Sequence, residues 1–280
     1  MVTFGADLTF ESSERSNTSN WVSSKLKQAG FVLAAFEGYT VKSDKVSLLL
    51  DRALFSGPPE QLTSALLLAK LRSEYGAVYD LKIQFSKLLG VPWFFLCYQY
   101  HPEKALLVEL NYAECKVIKS FSSIAEFGEW TQTYRDMVMQ SPYEESNLPR
   151  IDNILRAARA PWPGNLDTLL FYNGKLLTLV EFQNTSRTSV RDHCNNTWFL
   201  PRGNRKGDVN RWKALDVIRL HANLPLIIIV WAQREPDTIK FKVVENIVYP
   251  NRLDDKTPGL YYKTKKLVTF SGLVREIYAL

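Results

Sequence analysis

Cysteine is scarce in this chain: Cys97, Cys115 and Cys194 are the three among 280 residues. An odd set without a CxxC pair is neither a disulfide framework nor a zinc ribbon. His193 stands beside Cys194, but no second Cys/His pair completes a zinc ligand set. The start, MVTFGADLTFESSE, has no basic stretch running into an apolar one, so no signal peptide is expected. The longest apolar stretch, Leu224 to Ala232, is far short of the roughly 20 residues that cross a bilayer. The expectation is therefore a cytoplasmic protein in a reducing compartment, with no membrane partner. In that setting the Asn-x-Ser/Thr triplets at Asn17, Asn184 and Asn195 carry no glycosylation meaning. The phosphate-loop, dinucleotide-binding, serine-hydrolase and zinc-protease motifs are also missing. That counts against NTPases, dehydrogenases, serine hydrolases and metalloproteases.

What is present is ordinary globular material. Hydrophobic residues make up 46% and charged residues 23%, which excludes wholesale disorder. The length suits one large domain or two small ones, at about 150 residues each. The net charge is +6, a moderate bias that suggests a polyanionic partner.

The chain alternates helical and strand patterns. Helices are expected over 21–28, 60–72, 80–89 and 152–160, and from a Ser123/Glu126 capping box to about Met139. A further helix, capped by Asp208, runs to about Asn223 with Trp212, Leu215 and Ile218 inward. Strands are expected over 32–36, 46–50, 92–98, 105–110, 166–172, 175–183, 225–231 and 238–247. Asn173-Gly174 is a strong hairpin signal. The stretch 141–149 is the best linker, so the expected division is 1–145 and 146–280. Apolar strands mixed with helices argue α/β.

The informative segment is Asp167 on one hairpin strand, with Glu181 and Gln183 on the returning strand. Side chains alternate along a strand, so Glu181 and Gln183 share a face. Asp167 joins them if the connection contains an odd residue, such as a bulge at Gly174. A strict two-residue turn would send it to the other face. Two carboxylates in a partly buried groove need a counter-charge. Hard oxygen donors point to Mg²⁺ or Mn²⁺.

This pattern, followed by a helix and an apolar strand over Arg211 to Trp231, resembles the PD-(D/E)XK nuclease superfamily, the fold of many restriction endonucleases. The likeness covers about 150–250. It implies a mixed central sheet flanked by helices and a magnesium-dependent endonuclease of restriction or defence type that hydrolyses DNA phosphodiesters, RNA being left open as a substrate. By the likeness Asp167 and Glu181 would hold the metal. Gln183 stands where the family usually has lysine. Glutamine can orient a water by hydrogen bonds but cannot take its proton. Asp152, on the preceding helix, is a candidate extra acid.

Seven basic residues lie between 187 and 213 against Asp192 and Asp208, nearly the whole charge excess of the chain. Arg187, Arg202, Arg205, Lys206, Arg211 and Lys213, with Asn184 and Thr185, are the candidate nucleic-acid contacts. Trp162 and Trp198 are candidate base-stacking residues. The first half also overlays the second at an offset of 130, bringing Glu37 onto Asp167 and Asp51 onto Glu181, and at an offset of 133 around Pro92 and Pro225. Ala53 then falls on Gln183, so the first half reads as a degenerate repeat or as a DNA-binding or dimerisation half. The assembly is either a homodimer or a monomeric pseudo-dimer. Two other functions stay open: a catalytically inactive nucleic-acid-binding module that keeps the nuclease fold, and an unrelated α/β interaction protein with structural acids.

Overall fold

The computed structural model describes residues 3–4, 14–57, 61–136, 150–202, 207–250 and 256–280, with side chains from 21 onward. In chain order the first elements are β1 (Thr3–Phe4), α1 (Glu14–Gln28), β2 (Val32–Lys42), β3 (Lys45–Ser56), α2 (Ser64–Tyr75), α3 (Ala77–Leu89), β4 (Trp93–Tyr100), β5 (Glu103–Leu110), β6 (Cys115–Phe121) and α4 (Ile124–Gln132). Then follow α5 (Arg150–Ala157), β7 (Gly164–Tyr172), β8 (Lys175–Asn184), α6 (Val209–Ala222), β9 (Leu226–Trp231), β10 (Ile239–Val248), β11 (Gly259–Val268) and α7 (Phe270–Tyr278). The protein is mixed α/β, as the patterning implied. No described helix is long and apolar enough to cross a membrane.

The chain divides into two compact units, the first being 1–17 with 36–165 and the second 18–35 with 166–280. The break thus falls after Asn165, not at 145/146, and the proposed linker at 141–149 lies outside the described residues. In the first unit β2 and β3 form an antiparallel hairpin, β4 runs parallel to β3, and β5 and β6 follow antiparallel. Strand β1 adds to β3. In the second unit β7 and β8 form the hairpin, β9 runs parallel to β8, and β10 and β11 follow antiparallel. The two units repeat one topology.

The repeat extends to the turns. Ser43 and Asp44 (φ 51 and 56) close the first hairpin, and Asn173 and Gly174 (φ 49 and 75) close the second. Two left-handed residues make a type I′ turn, whose twist suits a hairpin. In each hairpin the register then slips by one: Thr40 faces Leu48 but Val41 faces Val46, and Leu170 faces Thr178 but Phe171 faces Leu176. The extra residues are Ser47 and Leu177, which are 130 apart. After each hairpin a parallel neighbour needs a crossover. Helices α2 and α3 supply it in the first unit. In the second, an irregular stretch with one 3-10 turn at Asn195–Thr197 precedes α6. Both crossover helices stop on a left-handed residue, Gly90 (φ 64) or Asn223 (φ 51). Two residues on, the carbonyls of Pro92 and Pro225 each accept the amide of Leu49 or Leu179 at 3.0 Å.

One face of the first unit's sheet buries Leu48, Leu50, Phe94 and Leu96 against Ile124 and Phe127 of α4 and Ile151 and Leu155 of α5. One face of the second buries Leu170, Val180, Ile227, Ile229 and Phe241 against Val22 and Leu26 of α1 and Leu273 and Ile277 of α7. The helix exchange is reciprocal. Helix α1 precedes the first hairpin but belongs to the second unit's core, and α5 precedes the second hairpin but belongs to the first unit's core. The sheets' other faces carry α3 and α6. Trp212, Leu215 and Ile218 of α6 are buried there as expected.

Two helix expectations need correction. Asp208 sits at the cap position of α6, but its φ and ψ of −90 and 10 leave its side chain without a capping bond. Helix α4 ends at Gln132, well before Met139, which lies outside the described residues. Its Ser123 does cap the Glu126 amide at 3.1 Å, while the Glu126 carboxylate reaches back to Ser122.

Candidate functional site

The second unit brings Asp167 and Glu181 together. Thr168 pairs with Val180, and that register, carried one residue further, sets Asp167 opposite Glu181 on one face. The turn itself is the strict two-residue kind. The odd residue that restores the shared face is the bulge at Leu177, the third residue of β8. Glu181 is 1% exposed. Its carboxyl hydrogen-bonds Asp167, and Arg211 of α6 donates to its Oε1. Asp167 Oδ2 also accepts the amide of Phe182 at 2.9 Å. Burial first, and then the neighbouring Asp167, push Glu181 up to about 8 against the pull of Arg211. One proton held on Glu181 leaves the pair a single negative charge, and the guanidinium of Arg211 neutralises it. The Arg211 side chain is 39% exposed, so this cation has an open path to water.

Gln183 shares the face of Glu181, but its Oε1 accepts from Asn195 Nδ2 at 2.6 Å. With that oxygen engaged, what Gln183 still offers is its amide NH₂, a donor only. Asn195 Oδ1 in turn accepts from Lys242 and from the Tyr262 hydroxyl (3.0 Å). Lys242 and Lys240 lie on β10, where they face Ile228 and Val230 of β9. Those same β9 residues face Glu181 and Gln183 on β8. Two buried lysines therefore stand two strands from Glu181, about 10 Å at ordinary strand spacing, and three strands from Asp167. In the sequence these lysines sit at alternate positions of the 238–247 strand, the pattern of a solvent-facing row. Only the covering segment around His193 to Asn195 shows that the row is buried.

The first unit has a corresponding acid pair. The register that pairs Gly38 with Leu50 sets Glu37 opposite Asp51. Here every carboxylate is spoken for. Asp51 is fully buried and accepts from Lys82 (2.5 Å), the indole of Trp93 (2.8 Å) and the Glu37 amide (3.0 Å). The Lys82 ammonium lies over the rings of Phe36, Tyr75 and Trp93. Burial pushes Asp51 up and Lys82 down, both toward neutral. Glu37 is bound by Arg52 at 2.8 Å, and burial pushes it up to about 7. In both units the neutralising cation comes from the helix before the parallel strand, ten residues ahead of Pro92 for Lys82 and fourteen ahead of Pro225 for Arg211. The side chains differ, and so does access. Lys82 is 1% exposed, against 39% for Arg211.

Other expected contacts fall as follows. Asp152 belongs to the first unit, where Arg52 grips both its oxygens at 2.5 and 3.2 Å, so it is no extra acid for Asp167 and Glu181. Trp162 donates its indole N–H to the Glu37 carbonyl at 3.0 Å and carries Arg52 over its ring at 4.3 Å. That makes it structural and not a stacking platform, whereas Trp198 is 42% exposed. Asn184, Arg187, Arg202 and Lys213 are exposed. Thr185 is buried, with its hydroxyl on Thr188. Arg205 and Lys206 lie outside the described residues. Arg211, expected on nucleic acid, is held by Glu181. Among the described residues, no three His, Cys, Asp or Glu side chains converge as a metal-ligand group.

No protein-family model matches the chain, and no curated protein matches it. Among solved structures, the C-terminal domain of the sex pheromone staph-cAM373 precursor from Staphylococcus aureus aligns with 79% of this chain at 9% identity and a TM-score of 0.16. The alignment spans 65% of that protein's chain. A likeness this weak carries no argument about fold or function.

Proposed function

We propose that the second unit is a metal-dependent endonuclease active on DNA phosphodiesters, with a restriction-endonuclease-like core. The observation that carries the reading is the pair Asp167 and Glu181, opposed on one face of a buried hairpin and neutralised by a cation that can leave. The first unit's pair is sealed by Lys82 and Arg52, so it serves structure. The hairpin, crossover helix and parallel strand of the second unit support the same reading.

Two adjacent carboxylates are the hard-oxygen donor set from which Mg²⁺ or Mn²⁺ is held, together with water and substrate phosphate. Asp167 and Glu181 would hold the ion, once Glu181 has released its proton and Arg211. A bound ion would supply an acidified water and charge neutralisation at the phosphate. Arg211, set free, pairs with a phosphate oxygen as readily as with a carboxylate. Gln183 offers its NH₂ to a phosphate or water oxygen and takes no proton. The exposed Asn184, Arg187, Arg202 and Lys213 contact the backbone.

A second reading, the non-cleaving nucleic-acid-binding module, is favoured by one specific observation: Arg211 already satisfies the acid pair. Plasmid DNA incubated with the full chain, with and without Mg²⁺, separates the two. Metal-dependent nicking that vanishes in Asp167→Ala and Glu181→Ala supports the nuclease. Cleavage surviving both variants overturns it. Salt-sensitive binding without cleavage assigns the silent module.

A further inference from the structure

We propose that the second unit carries a separate phosphate-binding site, built by Lys240 and Lys242 of β10 with His193 above them. The site uses none of the acid-pair residues, so it does not rest on the nuclease reading.

Lys240 and Lys242 are 5% and 1% exposed, lie on one strand two residues apart and share a face. Their ammonium groups stand on neutral acceptors. Lys240 donates to the carbonyls of Arg191 and His193, and Lys242 to Asn195 Oδ1 and towards His193 Nδ1 at 3.4 Å. Among the described residues no carboxylate lies within ion-pair distance of either. The groups facing Lys242 are Lys240 on its own strand, Lys265 and Tyr262 on β11, and His193, Cys194 and Asn195 on the covering segment. Apart from the Cys194 thiol these add positive charge or none. Asp192 acts on Lys240 from the same segment.

Burying like charges without a counter-ion is costly, and proteins answer by pairing the charge or losing the proton. Here the second answer is visible. Burial, then Lys240 and Lys265, push Lys242 down to about 7, and burial and the two lysines push His193 down to about 4. A neutral His193 that accepts on Nδ1 bears its proton on Nε2, which makes that nitrogen a donor. Two lysine ammoniums with a third at Lys265 and an imidazole N–H suit a doubly charged tetrahedral oxyanion better than a single carboxylate. Lysine binds phosphate as a point charge.

Sulfate is the direct probe, since its charge does not change between pH 5 and 9. Thermal melting and calorimetric titration of the full chain with sulfate should show binding at pH 6 that weakens about tenfold per pH unit above 7, as Lys242 loses its proton. Lys242→Met and Lys240→Met should abolish the response, and Lys263→Met, an exposed change on β11, should leave it intact. Methionine conserves volume and removes a buried charge, so the fold should survive. If either variant fails to fold, the Lys242 side-chain nitrogen resonance in the unaltered chain decides: sulfate should raise the pH at which it titrates. Inorganic phosphate, a mononucleotide and a short oligonucleotide then identify the source of the phosphate. A sulfate response unchanged by pH, by Lys242→Met, or unaccompanied by a shift in Lys242 titration overturns the proposal. No divalent metal enters these measurements, so the outcome is independent of cleavage.

Discussion

Replacing Glu181 by glutamine should make the protein more stable in mild alkali, and the effect should vanish in acid. In the folded chain Glu181 keeps its proton up to about 8, against an ordinary carboxyl value of 4.5. Between those limits the folded state holds a proton that the unfolded chain has released. Stability therefore falls as pH rises through this window, by on the order of a few kcal/mol in all. Glutamine mimics the protonated carboxyl in shape and hydrogen-bonding and never ionises. The guanidinium it leaves behind is 39% exposed and can turn to water. Urea unfolding of both proteins from pH 4.5 to 9 reads the difference, in which all other titrations cancel. The two should match near pH 4.5 and diverge by several kcal/mol in favour of Glu181→Gln by pH 8.5. Parallel curves, or a variant weaker at high pH, would refute the reasoning and make Glu181–Arg211 a fully ionised pair.

Lys82→Met leaves Asp51 buried beside Trp93 without its cation, so urea unfolding should show a loss of about 3–5 kcal/mol. The double change Asp51→Asn with Lys82→Met should recover most of it, and a single-variant loss below about 1 kcal/mol would contradict the pairing. Gly174→Ala meets no atom within 4 Å, but it puts an alanine at φ +75. The cost should be about 1 kcal/mol, purely conformational, while Gly164→Ala, equally open and without a positive φ, should change melting little.

Much of the fold was legible because its signals are local. Asn173-Gly174 announced the second hairpin, and the prolines at 92 and 225 marked the openings of two apolar strands. The register was not legible. The extra residues, Ser47 and Leu177, are unremarkable in composition, and the facing of Asp167 and Glu181 depends on them. Strand β11 and helix α7 escaped notice because Lys263, Lys265 and Lys266 break the apolar rhythm of an edge strand, the device by which edges avoid further pairing. The unit boundary was missed for a different reason. The apolar stripe of α5, with Ile151 and Leu155, shows that the helix must be buried but not against which sheet. Arg211 was read as a phosphate contact because sequence does not reveal that α6 aims it back at Glu181. Lys240 and Lys242 were missed because burial of a polar row is a tertiary fact.

The helix exchange has a consequence for how the chain is made. Val22, Leu26 and Phe31 leave the ribosome early, yet the strands they cover end with Val243 on β10, more than 200 residues later. At about 5–20 residues per second this apolar segment waits on the order of ten seconds or more for its own core. Meanwhile the first unit gains Ile151 and Leu155 only when α5 has emerged. A protein cut at the seam between its repeats would yield two pieces that each carry the other's helix. Its halves can be copies in topology without being able to fold as copies.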